Sequence, residues 1–340
     1  MEAIPQARFD PVPLLVGPPA GYAPDQLDDA LRAWASSPPL RALAAASGWS
    51  WPAGSSTLDL LSRLAGLSTD WDFRRNRERS SIERGPVTVN GRPVPDSLII
   101  GAARALGMVD ATPLALPVAG REFSYLVVLA GQARACVNRA HYAAHLLRSG
   151  LRTGTIVAIG AHRQLGAGEP ERAAQAGLGH LTDEADVILA ATCQAFGLDA
   201  PVTADVYQPA ASLGPLAAFH AAAARYRWPS VEVVIAPSDT PQVRRAKTGD
   251  QLRFWADLAG LAEGHDILVL TTQIYVPYQH LVACRVLGLE RGCGVYSCGV
   301  EAGVSYLPVR NCGGREYLQE IRAALRAALA LLTQAHESAS

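Results

Sequence analysis

From residue 121 onward the chain alternates apolar runs of strand length with amphipathic helices, and that rhythm constrains the fold more than any other feature. Strands buried on both faces read as near-continuous Val/Ile/Leu runs, and a helix between successive runs supplies the crossover that parallel strands need. The strand candidates are Tyr125–Ala130, Thr155–Gly160, Val231–Ala236, Asp266–Thr271 and Gly294–Gly299, with Tyr306–Val309 as a further one. Helices are predicted at Val137–Ser149, Asp183–Phe196, Gly249–Ala262, Tyr278–Leu287 and Arg315–His336. Gly150, Gly197 and Gly288 follow three of them, each suited to the left-handed residue that ends a helix. Thr248 reads as the N-cap of the Gly249 helix, with Gln251 at capping-box spacing. The expected class is α/β: a Rossmann-like, mainly parallel sheet of about five or six strands with helices on both faces.

Residues 1–120 read as an α-rich extension, giving an expected division into 1–120 and 121–340. Helices are predicted at Pro24–Trp34, Thr57–Ala65 and Ser97–Leu106, and Asn90-Gly91 between apolar alternations predicts a short hairpin. The run Asp70–Arg79 mixes both charge signs with Trp71 and Phe73. It reads as a solvated segment anchored by its aromatics, or as a basic arm closing over an anionic ligand.

Composition removes several function classes. Thirty basic residues stand against thirty-one acidic ones, with 49% apolar and 18% charged residues in 340. Such a chain buries a core, is not disordered, and lacks the basic excess of a nucleic-acid binder. The first residues carry no basic region ahead of an apolar stretch, and no window of about 18 residues is apolar enough to span a bilayer. A cytoplasmic protein without membrane partners is expected, and its six cysteines are expected to remain thiols.

In open α/β sheets ligands sit beyond the carboxyl ends of the strands, where helix N-termini and backbone donors converge. Gly131, Arg134 and Arg139 follow the first predicted strand, and His162 and Arg163 the second. Ser238, Arg245, Lys247 and Thr248 follow the third, and Thr272, Gln273, Tyr275 and Tyr278 the fourth. Four polar, cationic exits at one edge favour a pocket for an anionic small molecule. Arg139, Arg245 and Lys247 suit the anion, and Ser238, Thr248 and Thr272 suit hydrogen bonding. Glu184 and Asp250 open helices as dipole partners, or serve as the carboxylates of proton transfer or ribose binding. Tyr275 and Tyr278 stack on a base or pack at the sheet edge.

The blocks VVLAGQARACVNRAHYAAHLLRSG, IVAIGAHRQL, TDEADVILAATCQAFGL, PSDTPQVRRAKTGDQLRFW and ILVLTTQIYVPYQHLVACRVLG resemble, in order and spacing, those of the YdcF-like (SanA and ElyC) superfamily. The resemblance covers roughly residues 121–300. Gly131, Arg139, Gly160, Glu184, Ser238, Thr248, Asp250, Gln251, Thr271 and Thr272 occupy the family's motif positions, which implies a ligand-facing place for Gln251. The chain departs from the pattern at Lys247, where the family shows asparagine, at Gln251 in the acidic-asparagine pair, and at Tyr275 and Tyr278 in place of His and Arg. Such proteins are associated with S-adenosylmethionine binding and with envelope or lipid-carrier functions. The resemblance implies a fold and a ligand face rather than a substrate.

Other chemistries lack their signatures. Neither a G-x-G-x-x-G fingerprint, a P-loop nor a G-x-S-x-G elbow is present. His141 and His145 have a spacing that can ligate zinc, without the glutamate of a metalloprotease, and read as a surface or half-buried pair. The expectation is a protein that binds a nucleotide-like or S-adenosylmethionine-like anion and acts as an enzyme on a small polar substrate, in specialised metabolism. The competing expectation is a non-catalytic ligand-binding or scaffolding partner of a biosynthetic enzyme. A homo-oligomer is compatible with either.

Overall fold

The computed structural model describes residues 8–15, 24–52, 56–74, 85–110 and 121–339. In chain order the elements begin with α1 (Pro24–Ala35), α2 (Pro38–Ala46), α3 (Thr57–Leu67), the strands β1 (Val87–Val89) and β2 (Arg92–Val94), and α4 (Asp96–Ala105). There follow β3 (Glu122–Leu129), α5 (Ala133–Arg148), β4 (Arg152–Gly160), α6 (Glu169–Gln175), α7 (Glu184–Phe196), β5 (Thr203–Tyr207), α8 (Pro215–Ala221) and β6 (Ala223–Arg227). The chain continues through β7 (Val231–Ile235), α9 (Thr248–Ala259), β8 (Asp266–Thr271), α10 (Val276–Ala283), β9 (Gly294–Gly299) and α11 (Gly314–Ala339). No described helix is long and apolar enough to cross a membrane.

Two units emerge. The first gathers Met1–Ala111, Gln273–Arg285 and Arg310–Ser340, the second Thr112–Thr272 and Val286–Val309. The division differs from one at residue 120, because α11 packs on α1, α3, α4 and α10 rather than on the sheet. Its stripe Leu318, Ile321, Leu325, Ala328, Leu331 and Leu332 is buried at helical spacing. Within the first unit Trp71 is buried, stacks on Trp49 at 4.5 Å and donates its indole N–H to Ser47 Oγ at 3.2 Å. It is therefore core rather than the anchor of a solvated run, while residues 75–79 of the basic-arm expectation lie outside the described residues. Asn90 and Gly91 both have positive φ, 51° and 71°, the backbone that a two-residue hairpin demands.

The second unit is an α/β layer structure. Its seven-stranded sheet has the order β5-β6-β7-β4-β3-β8-β9, with β7-β4-β3-β8-β9 parallel and β5 and β6 antiparallel at one edge. Helices cover both faces. Leu126, Val128, Ile156 and Ala158 join Cys136 and Ala143 of α5 and Ile188 of α7 in one core, while Tyr125, on the opposite face, meets Trp255 of α9 edge to face at 5.3 Å.

Several local expectations change. Tyr306–Val309 is not a strand; Asn138 of α5 holds it by accepting from Leu307 N at 2.6 Å and donating to Leu307 O at 2.9 Å. Helix α9 starts one residue earlier than expected, with Lys247 rather than Thr248 as N-cap. Helix α10 runs into a π-helical turn at Cys284–Leu289, so Gly288 is not a left-handed terminator, whereas Gly150 and Gly197 are, with φ of 98° and 62°.

Gly160, the last residue of β4, has no room for a side chain: an added Cβ would lie 2.8 Å from Ile188 Cγ2 and 3.2 Å from Ala130 Cβ. Gly160→Val is expected to destabilise the fold by about 1–3 kcal/mol through overpacking. A lowered urea midpoint at unchanged slope is the outcome that checks this.

Candidate functional site

Numbered along the chain, the five parallel strands have the spatial order 3-2-1-4-5, so the order reverses between β3 and β8, the point at which a crevice opens in doubly wound sheets. The exits of β7, β4, β3 and β8 share one edge because these strands are parallel and in register. Ala236 N donates to Gly160 O at 2.8 Å and Ala130 N to Ile159 O at 2.7 Å, which carries the ladders into the exits.

At the reversal sits Arg139, 1% exposed. Its Nη1 donates to Leu129 O at 2.6 Å and Ala130 O at 2.8 Å, and its Nε and Nη2 donate to Thr272 Oγ1 at 3.1 and 3.0 Å. The arginine expected to hold an anion therefore ties the exits of β3 and β8 together. Arg134, on the first turn of α5, donates to Pro308 O at 3.0 Å.

After β4 a second charged cluster forms. Arg163 Nε meets Glu184 Oε2 at 2.5 Å, and its Nη1 and Nη2 meet the two oxygens of Glu169 at 2.8 and 3.0 Å. All three side chains are buried. Burial pushes the Glu169 carboxyl up, but Arg163 and the amides of Gly166 and Ala133 outweigh it and hold it below the usual carboxylate range. Glu184 is the surplus acid: with one guanidinium between two carboxylates, burial and the charge of Glu169 win over Arg163 and Arg245 and raise its pKa.

His162 projects beside this cluster. Its Nδ1 lies 2.6 Å from Asp183 Oδ2, its ring is 5.2 Å from that of Phe219 on α8, and its side chain is 24% exposed. Asp183 caps α7, since its Oδ1 accepts from Ala185 N at 3.1 Å and from Arg163 N at 3.0 Å. Burial raises the Asp183 pKa less than His162 and those two amides lower it, so it is held down. An imidazole oriented through Nδ1 presents Nε2 as a proton acceptor.

After β7, Ser238 is buried and its Oγ accepts from Thr240 N at 3.2 Å. Asp250 receives both guanidinium nitrogens of Arg244 and accepts from Lys247 N at 3.0 Å. Burial pushes Asp250 up, but Arg244 and the Lys247 amide hold it below its usual range; Asp239 beside it is pushed up by burial and by the Asp250 charge. Asp250 is a helix-capping carboxylate neutralised by Arg244. Arg245 and Lys247 are exposed, Thr248 opens α9, and Gln251 is buried in its first turn.

The other three candidates belong to the first unit. Gln273 Nε2 donates to Gly107 O at 2.7 Å, Tyr275 is the N-cap of α10, and Tyr278 lies in its first turn. His141 stacks on Tyr306 at 3.8 Å and contacts Gln194 at 3.0 Å. No group of three or more His, Cys, Asp or Glu among the described residues could hold a metal. Sequence reasoning missed Glu169, Asp183, Arg244 and Phe219. For Asp183 the signal was present: it is an N-cap residue type at the start of the predicted Asp183–Phe196 helix, one residue ahead of the observed start at Glu184.

The two acids that share Arg163 predict opposite pH behaviour. Glu169 has a depressed pKa, so its stabilisation is present above the unfolded value of about 4.3 and is lost as pH falls through the folded value. Glu169→Gln is expected to cost about 1.5–3 kcal/mol near neutrality, shrinking in acid. Glu184 has a raised pKa, so its contribution is present in acid and lost as pH rises through the folded value. Glu184→Gln is therefore expected to be the milder change at pH 7, a ranking that urea melts at several pH values read directly.

A family model described as the Rv3785 N-terminal domain matches residues 18–107. The uncharacterized protein Rv3785 of Mycobacterium tuberculosis (strain ATCC 25618 / H37Rv) is 31% identical over 348 residues, covering 95% of this chain and 93% of that relative. The uncharacterized protein Mb3814 of Mycobacterium bovis matches with the same identity and coverage. No solved structure matches. By that identity over nearly the full length of both chains, the chain belongs to the Rv3785 family.

Proposed function

We propose that this chain is a cytoplasmic, YdcF-like enzyme that binds an anionic small molecule, nucleotide-like or S-adenosylmethionine-like, at the carboxyl edge of the second unit's sheet. One observation carries the reading: the 3-2-1-4-5 order brings four polar exits to one edge around the reversal between β3 and β8. In this reading exposed Arg245 and Lys247 meet the anion. His162, oriented by Asp183, takes a proton from the substrate, and Glu184, with its raised pKa, gives one. Arg139, Arg163 and Asp250 position backbone and helices rather than touch the ligand.

The engagement of Asp250 by Arg244 and of Glu184 by Arg163 favours a second reading, in which the ligand is bound without turnover and the chain acts as a sensor or scaffold for a biosynthetic enzyme. Native mass spectrometry of freshly purified protein is expected to show a co-purifying anionic small molecule. Incubation with that molecule then separates the readings. Turnover that disappears in His162→Gln while binding persists supports the enzyme; binding without turnover supports the sensor; a preparation that retains no small molecule removes both.

A further inference from the structure

Helix α11 carries, beside its buried apolar stripe, a second face that the packing of the first unit does not explain. Arg315, Gln319, Arg322 and Arg326 follow one another at alternating steps of four and three residues, so they stand in one row along the helix. Residues 72–74, just after Trp71, meet that row. Arg322 Nη2 lies 3.1 Å from Asp72 Oδ2, and Gln319 Oε1 accepts from Arg74 N at 3.2 Å. The Arg315 guanidinium lies 5.8 Å from the centroid of the Phe73 ring and donates to Pro86 O at 3.1 Å.

Two donors in the row are left over. Gln319 is wholly buried, and because its Oε1 is held at the Arg74 amide, its Nε2 is fixed among the same residues. That nitrogen has no hydrogen-bond partner among the described residues, and neither does the buried Nε of Arg322, three residues on. Buried polar groups in folded proteins are paired in the great majority of cases. Two orphaned donors one turn apart on a single row therefore mark a place where an acceptor belongs.

The charge there is predominantly of one sign. Burial lowers the Arg322 pKa most, Asp72 raises it, and the like charges of Arg326 and Arg74 lower it again, so it falls below the ordinary guanidinium value. Arg74, Arg322 and Arg326 thus stand against Asp72: three guanidiniums and one carboxylate, a surplus of two before Arg315 is counted. The sequence that follows, residues 75–84, contains four arginines and two glutamates and so carries no net negative charge. Arg326 is exposed, and Asp72 and Arg74 are half-buried, so the cluster meets solvent on their side.

We infer that this row is an oxyanion site of the first unit, at which a phosphoryl dianion accepts from Gln319 Nε2 and Arg322 Nε and is neutralised by Arg74 and Arg326. A phosphoryl group is favoured over a single carboxylate because its charge near neutrality is about −1.5 to −2, the size of the surplus, and it offers three acceptor oxygens. Guanidinium is the cation whose planar fork suits such oxygens. The site lies in the first unit and does not depend on the ligand face proposed for the second.

Isothermal titration and thermal melts of the full chain at constant ionic strength, with inorganic phosphate and with glycerol 3-phosphate, test it. Wild-type protein is expected to bind at least one of them and to melt at a higher temperature in its presence. Arg326→Ala, at an exposed position, is expected to weaken binding roughly tenfold, as loss of one contact to a charged group does. Gln319→Glu keeps the acceptor for Arg74 N and sets a carboxylate among the guanidiniums. It is expected to raise the melting temperature without ligand and to abolish the rise that the anion produces. Tighter binding of glycerol 3-phosphate than of phosphate assigns the site to a phosphate ester, and the reverse order assigns it to the free ion. Wild-type protein that takes up neither anion at millimolar concentration overturns the site, as does binding that both variants leave unchanged. Should Gln319→Glu fail to fold, Arg326→Ala decides alone: undiminished binding in that variant overturns the site.

Discussion

Where strand order reverses, neighbouring connections leave in opposite directions and the sheet loses backbone partners at its edge. The β3–β8 ladder pairs residues only as far as Val128 and Leu270, whereas the β3–β4 ladder continues to Leu129 and Ile159. The carbonyls of Leu129 and Ala130 emerge beside this gap, and Arg139 satisfies both while gripping Thr272 across it. A buried guanidinium costs several kcal/mol unless its donors are matched, so the matched set fixes the spacing of the two exits. Arg163 extends the arrangement by reaching Gly131 O at 3.5 Å from the neighbouring exit. Together the two arginines tie the exits of β3, β4 and β8 into one hydrogen-bonded edge.

The two carboxyls beside Arg163 share its guanidinium unequally. Arg163 lies between Glu169 and Glu184, but Glu169 also receives the amides of Ala133 and Gly166 at 2.8 and 2.7 Å. Those added donors make Glu169 the better anion and leave Glu184 as the acid that holds its proton longer. The same guanidinium thus leaves two neighbouring carboxyls with pKa values moved in opposite directions. His162 differs in kind: its partner Asp183 is fixed by two backbone amides, which orients the imidazole while a quarter of its side chain stays open to solvent.

The parallel core was legible because its strands are continuous apolar runs; the predicted and observed bounds of β8 and β9 coincide. Strands β5 and β6 were not. Thr203–Tyr207 is almost wholly exposed and Ala223–Arg227 carries two arginines, so neither resembles a doubly buried strand, and antiparallel edges tolerate just that composition. Helix α2 was missed although Ser37-Pro38 places proline at a helix start, a readable signal. At the site, position was readable and role was not. Arg139, Arg163 and Asp250 stand where ligand contacts would be, but whether a cation faces a guest or a carbonyl depends on partners that sequence spacing does not reveal.

Loop length separates these roles. The exit of β3 reaches α5 through Ala130, Gly131 and Gln132, and polar groups there are consumed in closing the ladder and starting the helix. Between β7 and α9 lie the twelve residues Ala236–Lys247, well beyond the usual 2–6 of such connections. That excess lets Arg244 turn inward to Asp250 while Arg245 and Lys247 remain exposed. A short connection would have forced every cation into backbone service, so the length of this loop is what makes charge available at an otherwise self-satisfied edge.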